Sequence, residues 1–203
     1  MASGKVNTKM GFYLIPLGIA VNFVLGQIVT LLRLPVYFDA VGTMVVGALC
    51  GPVYSIIAAL ATGALLSITS PSNWFYMANY LAVGITAGLF AKWGFFKKLP
   101  KSVIYGIIIG VICGVAGSAV TVAVYGGYTA SPTGIITGAI VKTFHLGLFT
   151  ANTISECFSD IIDKIPSAII AFLIVKAVPN RFLLKLPYGN EYIHGMNRTE
   201  NGE

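Results

Sequence analysis

Leu34-Pro35-Val36-Tyr37-Phe38-Asp39-Ala40-Val41-Gly42-Thr43 separates two apolar segments in a chain that is mostly hydrocarbon. Pro35 disfavours helix at the residue before it and so marks where the first segment stops. Asp39 is a residue type that starts helices. Gly42 and Thr43 lie just inside the segment that follows. A carboxylate between two membrane helices costs free energy unless it caps, pairs or binds. The first expectation for Asp39 is a cap at the positive end of the second helix. Pairing with Arg33 and direct ligand contact are the alternatives.

Composition names the solvent. Of 203 residues, 56% are hydrophobic and 10% charged, and the mean hydropathy is +0.83. Soluble domains carry roughly 25% charged residues, so the solvent is a lipid bilayer. A span needs roughly 20 residues, and the length suits about six with short loops. The formal charge of +6 comes from basic residues flanking apolar spans, which is a membrane pattern rather than a nucleic-acid one. Cys50, Cys113 and Cys157 are isolated, with no metal-ligand spacing, and read as buried thiols. The first apolar segment is too long for a signal peptide core and reads as a span.

The expected architecture is an all-α membrane protein, a single six-transmembrane-helix bundle with spans at about 11–34, 39–50, 53–69, 74–91, 102–125 and 151–178. Pro16 interrupts the first span. Gly51-Pro52 turns the chain between the second and third. The fifth is glycine-rich, with Gly106, Gly110, Gly114 and Gly117. Residues 126–150 form an outer loop, in which 134–149 makes a helix that dips into or lies on the membrane. A basic polar tail runs over 179–203, with His194 solvated in it. Gly18, Asn22 and Gly26 recur every four residues on the first span. That stripe suits close packing inside the bundle or docking of a partner membrane protein.

Orientation follows from the basic residues. With the N-terminus inside, Lys5, Lys9, Lys92, Lys97, Lys98, Lys101, Lys176, Arg181, Lys185 and Arg198 all fall on the inner side, leaving Arg33, Lys142 and Lys164 outside. Both termini are then cytoplasmic. Asp39, Glu156, Asp160 and Asp163 fall on the outer side.

No Walker A, GxSxG or HExxH pattern and no Cys/His cluster is present, so neither ATP binding by a P-loop nor those hydrolytic chemistries are expected, and no cofactor or metal. The informative constellation is on the outer half. Asn152, Glu156 and Asp160 share a face of the last span, and Lys164 continues it as a pair for Asp160. Asp163 is offset, toward Lys142 or Arg33. This group reads either as an ion-pair network or as a polar site open to the outside. At the start of the fourth span, Trp74, Tyr76 and Tyr80 flank Asn79. Aromatics around an amide suit a flat heterocycle, although an interfacial belt explains Trp74 and Tyr76 as well. His145, beside Phe144 and Phe149, belongs to the same wall or is a structural histidine.

Six short spans in about 200 residues, the quoted stretch followed by Gly51-Pro52, and Glu156, Asp160, Asp163-Lys164 and Pro179 in the last span together resemble the substrate-binding S component of energy-coupling factor (ECF) vitamin transporters. The resemblance implies capture of a water-soluble vitamin or precursor from outside, without enzymatic activity. It implies a membrane T component and two cytoplasmic ATPase subunits as partners. Many members dock on the T component through an Ala-x-x-x-Ala face of the first helix; here Gly18, Asn22 and Gly26 have the matching spacing. On this reading Asn79, Asn152 and Glu156 hydrogen-bond the vitamin, Trp74, Tyr76, Tyr80 and His145 pack on it, and the loop after the first span closes over it. The acidic outer half favours pyridoxine or hydroxymethylpyrimidine. Pantothenate is the rival, needing Lys142 or Arg33. A stand-alone proton-coupled transporter using Glu156 or Asp160, a membrane scaffold and an enzyme remain the other classes.

Overall fold

The structure, a computed structural model, describes residues 8–32, 34, 36–129 and 132–193. Arg33, Pro35, His194 and Arg198, each given a role above, lie outside the described residues. Among the described residues eight α-helices follow one another: α1 Thr8–Leu31, α2 Val41–Cys50, α3 Pro52–Thr69, α4 Met77–Lys92, α5 Leu99–Tyr125, α6 Pro132–Phe144, α7 Leu148–Ala177 and α8 Asn180–Leu183. No strand occurs among the described residues. Four stretches are long and apolar enough to cross a membrane: Met10–Leu31, Pro52–Thr69, Pro71–Lys92 and Leu99–Tyr125. The protein is all-α and of membrane type.

Several boundaries differ from the sequence expectation for local reasons. Pro16 stays inside α1 without ending it, as membrane helices tolerate when neighbouring groups satisfy the freed backbone. Residues 74–76 belong to a 3-10 turn, Pro71–Tyr76, and α4 proper starts at Met77. Pro100 falls in the first turn of α5, where its missing N–H costs nothing, so the helix starts at Leu99. At the other end, Gly126 caps α5 in the left-handed conformation at φ 64°. Its N–H reaches Val122, and that of Gly127 reaches Thr121, both at 3.1 Å, which satisfies the last carbonyls. Between α2 and α3, Gly51 adopts φ 93°, open to glycine without strain, and Pro52 starts α3 directly.

Small residues set the helix spacing. The α5–α7 pair is the most extensive in the molecule. A Cβ at Gly106 would lie 2.8 Å from the Cα of Ile165, one at Gly110 2.8 Å from that of Ile161, and one at Gly114 2.4 Å from that of Cys157. This four-residue glycine stripe lets two backbones nearly touch. A second close crossing joins α1 to α2, where a Cβ at Gly42 would sit 2.1 Å from the Gly18 carbonyl oxygen.

The stripe Gly18, Asn22, Gly26 therefore faces inward, and its expected role as a docking face is corrected. Asn22 is fully buried. It donates to the hydroxyls of Thr43 at 2.9 Å and Thr62 at 3.0 Å, and accepts the Gly42 N–H at 2.6 Å. One amide thus joins α1, α2 and α3, leaving no polar atom for a partner protein.

The tail differs from a solvated polar segment. Leu183, Leu186 and Tyr192 are buried in the same core as Phe96, Cys50 and Val175. The Tyr188 N–H donates to the Leu49 carbonyl at 2.9 Å, and Lys97 pairs with Glu191. Residues 180–193 close one end of the bundle; the cavity occupies the other.

Candidate ligand-binding cavity

The two apolar segments that flank the quoted stretch meet at a cavity of about 680 Å³. That is within the range of roughly 300–1,000 Å³ usual for small-molecule sites. Gly26, Gln27 and Thr30 line it from α1, Leu66 and Thr69 from α3, and Cys113 and Tyr125 from α5. Ser70, Ser72, Asn73 and Tyr76 contribute from the turn between α3 and α4. Helical spacing then brings Asn79, Tyr80 and Val83 of α4 and Glu156, Asp160 and Lys164 of α7 onto its walls. Tyr37, Asp39 and Ala40 close one side, and Tyr128, Thr129 and Thr133 another.

Lys164 is the hub of the polar wall. Its ammonium pairs with Asp163, lies 3.8 Å from Asp39 and 4.0 Å from Asp160, and sits 5.9 Å over the Tyr37 ring. The i,i+4 pairing of Asp160 with Lys164 matches expectation. Asp163 differs: its partners are Lys164 and the backbone N–H groups of Tyr37 and Phe38, each at 2.8 Å. Lys142, its expected partner, is exposed and not in this network. The clamp on two successive amides accounts for Phe38 at φ 49°, a left-handed conformation that non-glycine residues avoid unless held.

Asp39 does not cap α2. The cap position is Ala40, with no side-chain cap bond. Asp39 turns across the cavity, where it accepts the Tyr80 hydroxyl at 2.7 Å and faces Lys164. The start of α2 is buried and its Gly42 N–H already goes to Asn22 Oδ1, so Asp39 pairs instead with a phenol and an ammonium held on other helices.

Glu156 is 7% exposed. It accepts the Thr121 hydroxyl at 3.3 Å, and that same hydroxyl is bonded to Tyr76 Oη at 2.8 Å. Glu156 forms no ion pair among the described residues. Asn79 donates to the Cys113 carbonyl at 3.2 Å, while its Oδ1 is buried with no partner.

Of the seven residues expected to hold a ligand, Tyr76, Asn79, Tyr80 and Glu156 line the cavity. Three do not, which corrects their assignment. Trp74 is 61% exposed on the outside of the turn. His145 is exposed beyond the end of α6, and Phe144 and Phe149 beside it are exposed too. Asn152 is buried but committed elsewhere: it accepts the Thr137 hydroxyl at 3.2 Å and donates to the Ser118 carbonyl at 3.4 Å, tying α5, α6 and α7. Sequence reasoning missed Gln27 and Thr30. The signal was present, because Thr30 extends the Gly18, Asn22, Gly26 spacing by one more turn. Tyr125, Tyr128 and Thr133 arrive through chain turns and carried no local signal.

No family model, no curated protein and no solved structure matches this chain.

Proposed function

We propose that the chain is the substrate-capture S component of an ECF-type importer, a six-span protein of the cell membrane that binds a water-soluble vitamin or precursor and does no covalent chemistry. The observation that carries this reading is the cavity itself. It lies at one end of a helix bundle, walled by tyrosines and buried polar groups, with Tyr37 and Asp39 of the connection between α1 and α2 on its wall. The six-span count takes the four apolar stretches and adds α2 and α7. Thirty residues make α7 about 45 Å long, enough to cross; its Glu156, Asp160, Asp163 and Lys164 are all buried. At about 15 Å, α2 is short and relies on the loop before it.

Alternating these six helices brings the C-terminal ends of α1, α3 and α5 together with the N-terminal ends of α2, α4 and α7 around the cavity. Lys92, Lys97, Lys98, Lys101, Lys176, Arg181 and Lys185 lie at the opposite end. By the positive-inside rule the cavity then opens to the outside and both termini are cytoplasmic. ATP hydrolysis belongs to two partner ATPases, and a membrane T component couples them. A docking face for that component lies somewhere other than the buried Gly18, Asn22, Gly26 stripe.

Tyr76 and Tyr80 beside Asn79 suit a flat ring, which favours pyridoxine or hydroxymethylpyrimidine. Among the described residues pantothenate finds no free cation, since Lys142 is outside the cavity and Lys164 is held by carboxylates; Arg33 lies outside the described residues. Purification from cells followed by mass spectrometry should find such a molecule bound. Glu156→Gln and Asn79→Ala should each weaken its binding at least tenfold by titration calorimetry. Unchanged affinity in both variants would move the site elsewhere. One observation favours a second reading, a stand-alone proton-coupled transporter: Glu156 is a buried carboxylate without a cation among the described residues. Solute-driven pH change in vesicles holding this protein alone would decide for it.

A further inference from the structure

We infer that the cavity is built for a cation: its ligand presents a protonated or quaternary nitrogen to Glu156, between the tyrosine rings. This rests on the capture reading above and names the chemical class that the site selects.

The charged residues on the cavity wall are Asp39, Glu156, Asp160 and Lys164. A fifth, Asp163, lies behind the wall at 0% exposure. Lys164 is therefore the sole cation among the described residues of this group, set against four carboxylates. Asp163 satisfies itself with Lys164 and two backbone amides, and it uses the closest of the lysine's contacts. Asp39 has the Tyr80 hydroxyl and a lysine 3.8 Å away. Among the described residues Asp160 has only that lysine, at 4.0 Å, which is longer than a hydrogen bond. Glu156 has one long bond from a hydroxyl that it shares with Tyr76.

Carboxylates taken out of water cost several kcal/mol each unless a cation and hydrogen-bond donors replace the lost solvent. Here the shortfall is in donors, and it is concentrated where the open volume is. A ligand rich in N–H donors and carrying positive charge supplies what Glu156 and Asp160 lack. Tyr76 and Tyr80 on the walls can add attraction between aromatic rings and a cation. An anionic ligand would meet the opposite: a carboxylate-rich wall whose one ammonium among the described residues already has three carboxylates within 4.0 Å. Glu156 is singled out because it alone among the four carboxylates is outside the lysine network.

The experiment holds the ring constant and varies the charge. Purified full-length protein in detergent is titrated with pyridoxamine, pyridoxine and 4-pyridoxate, and separately with thiamin and pantothenate. Affinity comes from calorimetry and stabilisation from thermal melting. The expected order is pyridoxamine over pyridoxine over 4-pyridoxate, and thiamin over pantothenate, with at least tenfold between cation and anion. Glu156→Gln should shrink the cation-to-anion ratio several-fold, a readout that loss of folded protein alone does not move. Glu156→Asp, which keeps the charge, should retain the preference. Tightest binding by an anion, or an unchanged ratio in Glu156→Gln, overturns the cation inference and leaves vitamin capture standing. Binding by no member of the panel, with no small molecule co-purifying, overturns the capture reading itself.

Discussion

Asn22 and Lys164 show how a single polar side chain organises an apolar bundle. Each is buried and each joins several elements. Removing Asn22 leaves two threonine hydroxyls and the Gly42 N–H without their partner. Unsatisfied buried groups cost about 1–3 kcal/mol each when they cannot relax. We expect Asn22→Ala to lose on the order of 2–4 kcal/mol, read as a lower melting temperature in detergent; an unchanged melt would remove Asn22 from the core. Lys164→Met should cost more, about 3–5 kcal/mol, because it strands buried carboxylates without a cation. Adding Asp163→Asn to Lys164→Met should recover part of that loss, and failure to recover would argue against the pairing. Both residues stand out in the sequence as polar positions in apolar segments. The pairings did not, since Thr43 and Thr62 come from other helices and Asp39 from the connection between α1 and α2.

At the level of elements, the connection between α1 and α2 depends on Asp163. Its carboxylate holds the Tyr37 and Phe38 amides and so positions both the strained Phe38 and the Asp39 that follows. Asp163→Ala should release this connection: hydrogen exchange at those two amides should rise at least tenfold, since about 1.4 kcal/mol is a factor of ten and two charge-assisted bonds exceed that. Asp163→Asn keeps an acceptor oxygen and should give a smaller rise. Equal exchange in all three proteins would mean that the connection is held by other contacts. The helix crossings make a second element-scale prediction. Gly42→Ala forces a methyl to 2.1 Å from the Gly18 carbonyl oxygen, so α1 and α2 must separate. The cost should be about 1–3 kcal/mol or more, measured by thermal melting beside a conservative change at exposed Ile68.

For the whole molecule, the two ends are unlike. One is sealed by residues 180–193 and carries most of the lysines and arginines; the other holds the acidic cavity. The orientation proposed above rests on that asymmetry and can be tested by labelling. With the native cysteines replaced, a cysteine at Tyr128 should react with a membrane-impermeant maleimide added to intact cells. A cysteine at Lys185 should react only after permeabilisation. The reverse pattern would turn the cavity to the cytoplasm and remove the case for capture from outside.

Composition and periodicity alone determined that the chain is helical, that its solvent is lipid, and roughly where its helices run. Those properties are local: hydrophobicity, proline and glycine act on the residues next to them. The same local logic placed Tyr76, Asn79, Tyr80 and Glu156 on faces that could meet. Only the tertiary structure decided which polar groups satisfy one another. It turned the Gly18, Asn22, Gly26 stripe inward, moved Asp39 from a helix cap to the cavity wall, and spent Asn152 on packing. It left Glu156 as the carboxylate outside the lysine network. The physical reason is that a buried polar group is worth what its partners make it, and those partners lie up to 126 residues away along the chain, as Tyr37 does from Asp163.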